Sequence, residues 1–314
     1  MNDRTGRISR RDTFKMALGG CAGLALRPHE LWDDEAAGLV TKPIPSTGER
    51  LPVIGIGTAR RYDVAASEAE LAPLREVVRN FTRMGGKLLD TAPSYGKAES
   101  VVGNLVAQAG NRDQLFVATK VGRGRESVQA GRAEMEQSLK QLKVDKVDLM
   151  QVHNLGGANE MLPVLREWKE AGKTRYIGVT TSAKNQYAEL ERLLRTQRMD
   201  FIEVDYAIDN RDVEQVILPL AQERGVAVLT ALPFGRGRVF DALKKQPVPG
   251  WAQELGIKTW AQFALKYVVS HPAVTCAIPG TAQLRYLVDN LGAAREPLPD
   301  AAMRRRMAAL IDAT

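Results

Sequence analysis

From residue 51 onward the chain repeats one phrase eight times: a short run rich in Val, Ile and Leu, then an amphipathic segment of helix length. The runs are VIGIGT (53–58), KLLDTA (87–92), LFVATKV (115–121), VDLMQVH (147–153), YIGVTT (176–181), FIEVDY (201–206), VAVLTALP (226–233) and TCAIPG (275–280). Segments such as LREVVRNFTRMG (74–85) lie between them. Nearly continuous apolar strands alternating with helices predict parallel strands covered from outside, and eight such units predict a closed (β/α)8 TIM barrel. An open doubly wound sheet is the competing arrangement. Its best signal, GIG at 55–57, lacks the third glycine and the helix that would open directly after it. Residues 235–257 are the longest interruption, and 297–314 predict an additional C-terminal helix on the barrel exterior.

The first 38 residues read differently, as a leader and tether ahead of a barrel at 39–314. Residues 1–15 carry four Arg and one Lys, and residues 16–26, MALGGCAGLAL, carry no charge. Arg10 and Arg11 stand side by side just before that stretch, which resembles the bacterial twin-arginine export signal. The expected location is therefore the periplasm, with the twin-arginine export machinery as a partner. Eleven uncharged residues fall short of the roughly 20 that a membrane-spanning helix needs, so no integral membrane segment is expected. The net charge of +7 lies outside the leader, whose six basic and six acidic residues cancel. Part of it is RRR at 304–306, read as a solvated helix face; without interleaved aromatics or a zinc or helix-turn-helix pattern it gives no case for nucleic acid. With Cys21 in the leader, Cys276 is the single thiol of the remainder.

In a barrel of this kind the chemistry gathers at the C-terminal ends of the strands. There the second strand ends on Asp90 with Tyr95 just beyond, the third on Lys120 and the fourth on His153. Taken singly, each has an ordinary explanation as a cap, a surface cation, a packing ring or a core histidine. Together they suit carbonyl reduction. A phenol titrates near pH ~10 unperturbed, and an ammonium beside it would favour phenolate and bring that value down. A carboxylate would keep the lysine charged, and a histidine opposite could orient a carbonyl oxygen while the phenol protonates it. No side chain supplies a hydride, so a bound cofactor is required.

At these residues the chain resembles the aldo-keto reductase family, over roughly 50–314. LLDTAPSYG, VATKVG and LMQVH are similar to its three catalytic segments, and LPFGRGRVF, TWAQFALKYVVSHPAV and IPG followed by DNLGAA resemble a bacterial branch that often carries a twin-arginine leader. The resemblance implies an NAD(P)-dependent oxidoreductase that reduces an aldehyde or ketone, or oxidises an alcohol or sugar. In it Tyr95 is the proton donor, Lys120 and Asp90 tune it, and His153 orients the carbonyl. It also implies cofactor contacts from Thr58, Thr180, Thr181, Glu203, Pro233, Phe234, Gly280, Thr281, Arg285, Asp289 and Asn290, with NADP(H) favoured over NAD(H). Several positions depart from the family pattern. Thr180 and Thr181 stand for Ser and Asn, Glu203 for a Gln, Ala231 for a ring, and Ala282 and Tyr286 for polar or cationic groups, with Arg285 one residue away from the usual Arg.

Two other functions are consistent with parts of this reading. Ala231 and Ala282 would suit a barrel that only binds or senses; the intact quartet of Asp90, Tyr95, Lys120 and His153 speaks against it. A metal-dependent hydrolase would need ligands, and of three histidines only His153 stands at a strand end.

Overall fold

The computed structural model describes residues 38–65, 67–244 and 246–314. The leader assigned to 1–38, with Arg10, Arg11 and Cys21, lies outside the described residues except for Gly38. Among the described residues, no helix is long and apolar enough to cross a membrane.

Eight parallel strands follow one another around the predicted barrel: β3 (Ile56–Gly57), β4 (Leu88–Asp90), β5 (Phe116–Val121), β6 (Val147–Val152), β7 (Thr174–Thr181), β8 (Phe201–Asp205), β9 (Ala227–Ala231) and β10 (Val274–Ala277). The ring closes because the segment around β3 also pairs with β10: Gly55 N donates to Ala277 O at 2.8 Å and Ala277 N to Val53 O at 2.8 Å. Each of the eight apolar runs read from the sequence overlaps one of these strands, with β7 and β10 starting two residues and one residue earlier than read.

Side chains alternate along each strand, so every second residue faces the barrel axis. Leu88, Phe116, Leu149, Tyr176, Phe201, Leu229 and Cys276 fill the lower interior as one buried apolar cluster. One step or two further along the same strands, the inward positions become Asp90, Lys120, Gln151 and Glu203. The polar site is therefore the upper layer of a packed interior. The other faces of the strands meet the helices in a separate, larger core that includes Val117, Met150, Val152, Ile177 and Val204.

A hairpin of β1 (Thr41–Pro43) and β2 (Arg50–Pro52), not anticipated from the sequence, covers the end of the barrel at which the strands begin. Ile44 and Leu51 are fully buried in the interior cluster, a burial that stabilises by ~1.5–3 kcal/mol each. The Lys42 ammonium fixes this plug by donating to the carbonyls of Val269, His271 and Val274, each at 2.7 Å.

The interruption at 235–257 is largely ordered. It contains α7 (Arg238–Leu243) and a 3-10 turn at Gly250–Leu255, and Arg238 is tied to Asp209 at 2.8 Å. The C-terminal helix α10 (Ala301–Asp312) is present and starts on Asp300, whose carboxylate accepts from Met303 N. One of its three arginines corrects the expectation of a solvated face. Arg304 turns inward, donating to Tyr206 Oη at 2.8 Å, Glu214 Oε1 at 2.8 Å and Ser270 Oγ at 3.0 Å, and to Tyr267 O. Arg305 and Arg306 are exposed and fit the solvated reading, Arg306 lying over the Trp251 ring, 4.3 Å from its centroid.

Candidate functional site

The site begins with Asp90, the last residue of β4. Parallel pairing of β4 with β5 sets the Asp90 carboxylate beside the inward-facing Lys120, whose Nζ donates to Oδ1 and Oδ2, both at 2.6 Å. Lys120 is fully buried and Asp90 is 2% exposed. Burial alone would favour a neutral lysine, but Asp90 and Glu203 more than reverse that and hold the ammonium above its ordinary range.

Beyond Asp90 the chain turns through 91–97, and the turn carries Tyr95 back over the lysine, with Lys120 Nζ 5.2 Å from the ring centroid. Two features hold the turn. Lys97 N donates to Asp63 Oδ1 at 3.0 Å, and Gly96 has φ +63 with its Cα against that carboxylate. A Cβ on Gly96 would lie 2.3 Å from Asp63 Oδ1, so any other residue would push the phenol out of place. The expected lowering of the Tyr95 pKa is overturned. Burial dominates, and although Lys120 pulls the other way, Asp90 and Glu203 add to it, so the phenol is pushed up to about 12. Tyr95 keeps its proton at neutral pH.

His153 follows β6, and its ring meets the Tyr95 ring edge-on, centroids 5.9 Å apart at 84°. Burial first, then Lys120, lowers its pKa to about 4, so the imidazole is neutral. Ser94 Oγ lies 3.2 Å from Nδ1. When Ser94 donates there, the imidazole proton sits on Nε2, free to donate to a ligand oxygen.

Of the anticipated cofactor residues, Thr58 is fully buried and its Oγ1 has no protein partner. Thr180 Oγ1 accepts from Asn154 N at 3.1 Å, and the Thr181 hydroxyl donates to Gln186 Oε1 at 2.5 Å, so both threonines shape the rim after β7. Pro233 is buried, and the half-buried Phe234 packs on Phe240, centroids 4.9 Å apart, while Ala231 lines the top of β9. Thr281, Asp289 and Asn290 are engaged within the protein. Asn290 Nδ2 donates to Thr281 Oγ1, Thr281 Oγ1 donates to Pro279 O, and Asp289 accepts from Thr259 Oγ1, each at 3.0 Å. They build the loop after β10 and brace α9 (Leu284–Gly292). Gly280 is exposed, with Arg61 lying over it. The Arg285 guanidinium is exposed and stacks on the Tyr286 ring, 4.7 Å from its centroid.

Glu203 has a partner that the sequence did not reveal. Its Oε2 lies 3.2 Å from Lys120 Nζ and accepts from Gln151 Nε2 at 3.0 Å. Gln151 itself was overlooked, although its position two residues before His153 on one strand marks it as inward-facing. Ser94, Asp63 and Arg61 were overlooked as well, since their roles rest on contacts between different loops. Among the described residues, no group of three or more His, Cys, Asp or Glu could hold a metal ion.

The arrangement can donate a proton from a half-buried phenol and hold an oxygen from a neutral imidazole, at the mouth of a (β/α)8 barrel. That is a barrel enzyme site built for acid catalysis at a polarised oxygen. The aldo/keto reductase family model matches residues 53–311, and the chain belongs to this family. It is 32% identical over 207 residues to the aldo-keto reductase YhdN of Bacillus subtilis, an alignment spanning 62% of each protein, less than two thirds of that relative's length. It is 25% identical over 286 residues to the L-galactose dehydrogenase of Arabidopsis thaliana, covering 81% of this chain and 88% of that one. A crystal structure of an aldo/keto reductase from Klebsiella pneumoniae in complex with NADP and acetate shares the fold. Its TM-score is 0.70 at 24% identity, over 84% of this chain and 93% of the other.

Proposed function

We propose that the protein is an NAD(P)H-dependent oxidoreductase that reduces an aldehyde or ketone, or runs the reverse on an alcohol or sugar, with Tyr95 as proton donor. The observation that carries this reading is the bidentate Asp90–Lys120 pair at 2.6 Å beneath a half-buried phenol that stays protonated.

The chain's residues fit a nicotinamide dinucleotide. The buried Thr58 Oγ1 and Gln151 Oε1 lack protein partners and are suited to a ligand's polar groups. At the other end, the amides opening α9, with Arg285 and Arg61 nearby, suit phosphate. NADP(H) is favoured over NAD(H) because an exposed guanidinium beside a helix start suits one further phosphate. The curated relative named aldo-keto reductase yakc [NADP(+)], of Schizosaccharomyces pombe, is 24% identical over 302 residues. When bound, the cofactor supplies or accepts the hydride, which no side chain can do. Neutral His153 donates to the carbonyl oxygen and fixes its orientation. Tyr95 gives that oxygen its proton as negative charge develops there, and the Lys120 ammonium stabilises the phenolate left behind. Buried Asp90 keeps the ammonium in place.

The test is consumption of NADPH or NADH with a panel of small aldehydes and ketones, and of NADP+ with the matching alcohols. Turnover by the wild type that falls by ~10²–10⁴ in Tyr95→Phe supports the reading. Absence of turnover in both directions, or a Tyr95→Phe protein as active as the parent, overturns it.

Residues 1–38 as a twin-arginine leader, with export to the periplasm, form part of the same proposal. Its support is the Arg10–Arg11 pair before the uncharged stretch 16–26. Periplasmic recovery that persists after Arg10 and Arg11 are both changed to Lys would overturn it.

A further inference from the structure

Two carboxylates share one lysine inside the barrel. Lys120 Nζ donates to both oxygens of Asp90 at 2.6 Å and lies 3.2 Å from Glu203 Oε2, which Gln151 Nε2 also supports at 3.0 Å. Lys120 is 0%, Asp90 2% and Glu203 5% exposed. One ammonium balances one carboxylate. A second full negative charge in so dry a site is expensive, and two carboxylates in one site resolve the conflict by retaining a proton.

The groups that face the cluster do not supply a second cation. Tyr95 and His153 stand over it, both neutral at pH 7, and the Cys276 thiol lies below on β10, its ionisation disfavoured by burial and then by Asp90. Behind β5, Glu99 accepts from Thr119 Oγ1 at 2.6 Å and would add negative charge. Arg125 is felt at His153.

We propose that Glu203 is a positioning residue: with Asp90 and Lys120 it forms a cluster that holds one exchangeable proton between two carboxylates, and that proton sets the charge Tyr95 meets. In accord with this, burial and then Glu203 raise the Asp90 carboxyl to about 8 despite Lys120. Taken as a pair, the carboxylates bind one proton in the folded protein that the unfolded chain has released by pH ~5. Such a proton stabilises the fold at low pH, and its contribution is lost as pH rises through the folded value. The effect on Tyr95 rests on the oxidoreductase reading; the proton itself does not.

Two measurements keep these apart. First, urea unfolding of the cofactor-free protein is followed against pH for wild type and Glu203→Gln. The expected result is a ratio of folding constants, variant over wild type, that rises by up to about tenfold per pH unit between pH ~5 and ~8. A ratio independent of pH overturns the proposal. Asp90→Asn removes the other carboxylate and should give the same rise, which serves if Glu203→Gln fails to fold. Second, single-turnover hydride transfer from NADPH to a small aldehyde is followed over the same range. A wild-type rate limb near neutrality that disappears in Glu203→Gln supports the link to Tyr95, and identical profiles overturn it. If the stability ratio behaves as expected while wild type turns over nothing, the proton cluster stands and the oxidoreductase reading falls.

Discussion

The His153 ring meets Tyr95 edge-on, with centroids 5.9 Å apart, and this contact joins the two groups that would grip a single substrate oxygen. The two rings come from different loops, after β4 and β6, and the pairing of both strands with β5 brings them together. Each is held in its neutral form by burial, and the consequences can be measured.

Because the His153 pKa is lowered to about 4, its ordinary titration near pH ~6.5 should be missing from the rate profile. We expect carbonyl reduction by Glu203→Gln, free of the proton cluster, to show no limb between pH ~5.5 and ~7.5. The sign for stability is opposite to that of the cluster. A histidine depressed in the fold contributes fully above its unfolded value and loses that contribution as pH falls through the folded one. Imidazole chemical shifts followed by NMR would decide; a His153 midpoint near 6.5 would contradict the assignment.

Gly96→Ala should separate positioning from folding. Its φ of +63 and the Asp63 carboxylate 2.3 Å from a Cβ built there force the turn that carries Tyr95 to shift. We expect a stability loss of ~1–3 kcal/mol and a larger proportional fall in kcat than in kcat of a control substitution elsewhere on the surface. Thermal unfolding alongside steady-state kinetics checks this, and an unchanged kcat would show that the turn does not position the phenol.

Arg304 and Arg305 are neighbours in sequence and should behave very differently. Arg304 satisfies Glu214, Tyr206 and Ser270 in the interior, whereas Arg305 is exposed. Arg304→Gln should cost ~3–5 kcal/mol, the usual consequence of leaving a largely buried ion pair without one partner. Arg305→Gln should stay within ~0.5 kcal/mol of wild type. Urea denaturation of both proteins gives the comparison directly.

Lys42→Met should weaken the barrel plug. The ammonium makes three 2.7 Å hydrogen bonds to carbonyls, and burial, followed by Arg304, lowers its pKa to about 8. Because the folded lysine gives up its proton at a lower pH than the unfolded one, wild type gains stability as pH rises from about 8 toward the unfolded value of ~10.4, so the difference between Lys42→Met and wild type should be ~2–3 kcal/mol at pH 6–7 and widen at pH ~9. A difference that does not depend on pH would mean that the stem packing, not the charge, fixes the hairpin.

Local pattern sufficed for a large part of this protein. The eightfold alternation of apolar run and amphipathic segment dictated the parallel barrel, since each short run is too apolar to face water and each segment has a face that must be covered. The period of two along each strand then placed Asp90, Lys120 and His153 at inward positions near the strand ends, and resemblance of the surrounding segments supplied their family. The hairpin plug escaped because its two strands are only three residues long each and owe their burial to the barrel beneath them.

What the tertiary structure decided was charge. Whether a phenol beside a lysine becomes phenolate depends on how dry the site is and on every other charge within a few ångströms, and neither quantity is written in a linear motif. Glu203 lies 83 residues beyond Lys120 and reads as a substitution in a cofactor wall; folded, it is the second carboxylate on that lysine. Arg304 and Arg305 differ only by the 100° turn that a helix makes per residue, which sent one into the core and left the other in water. Sequence alone determined the barrel and the family to which it belongs. Burial and the distances between strands far apart in the chain determined which of its groups carry charge.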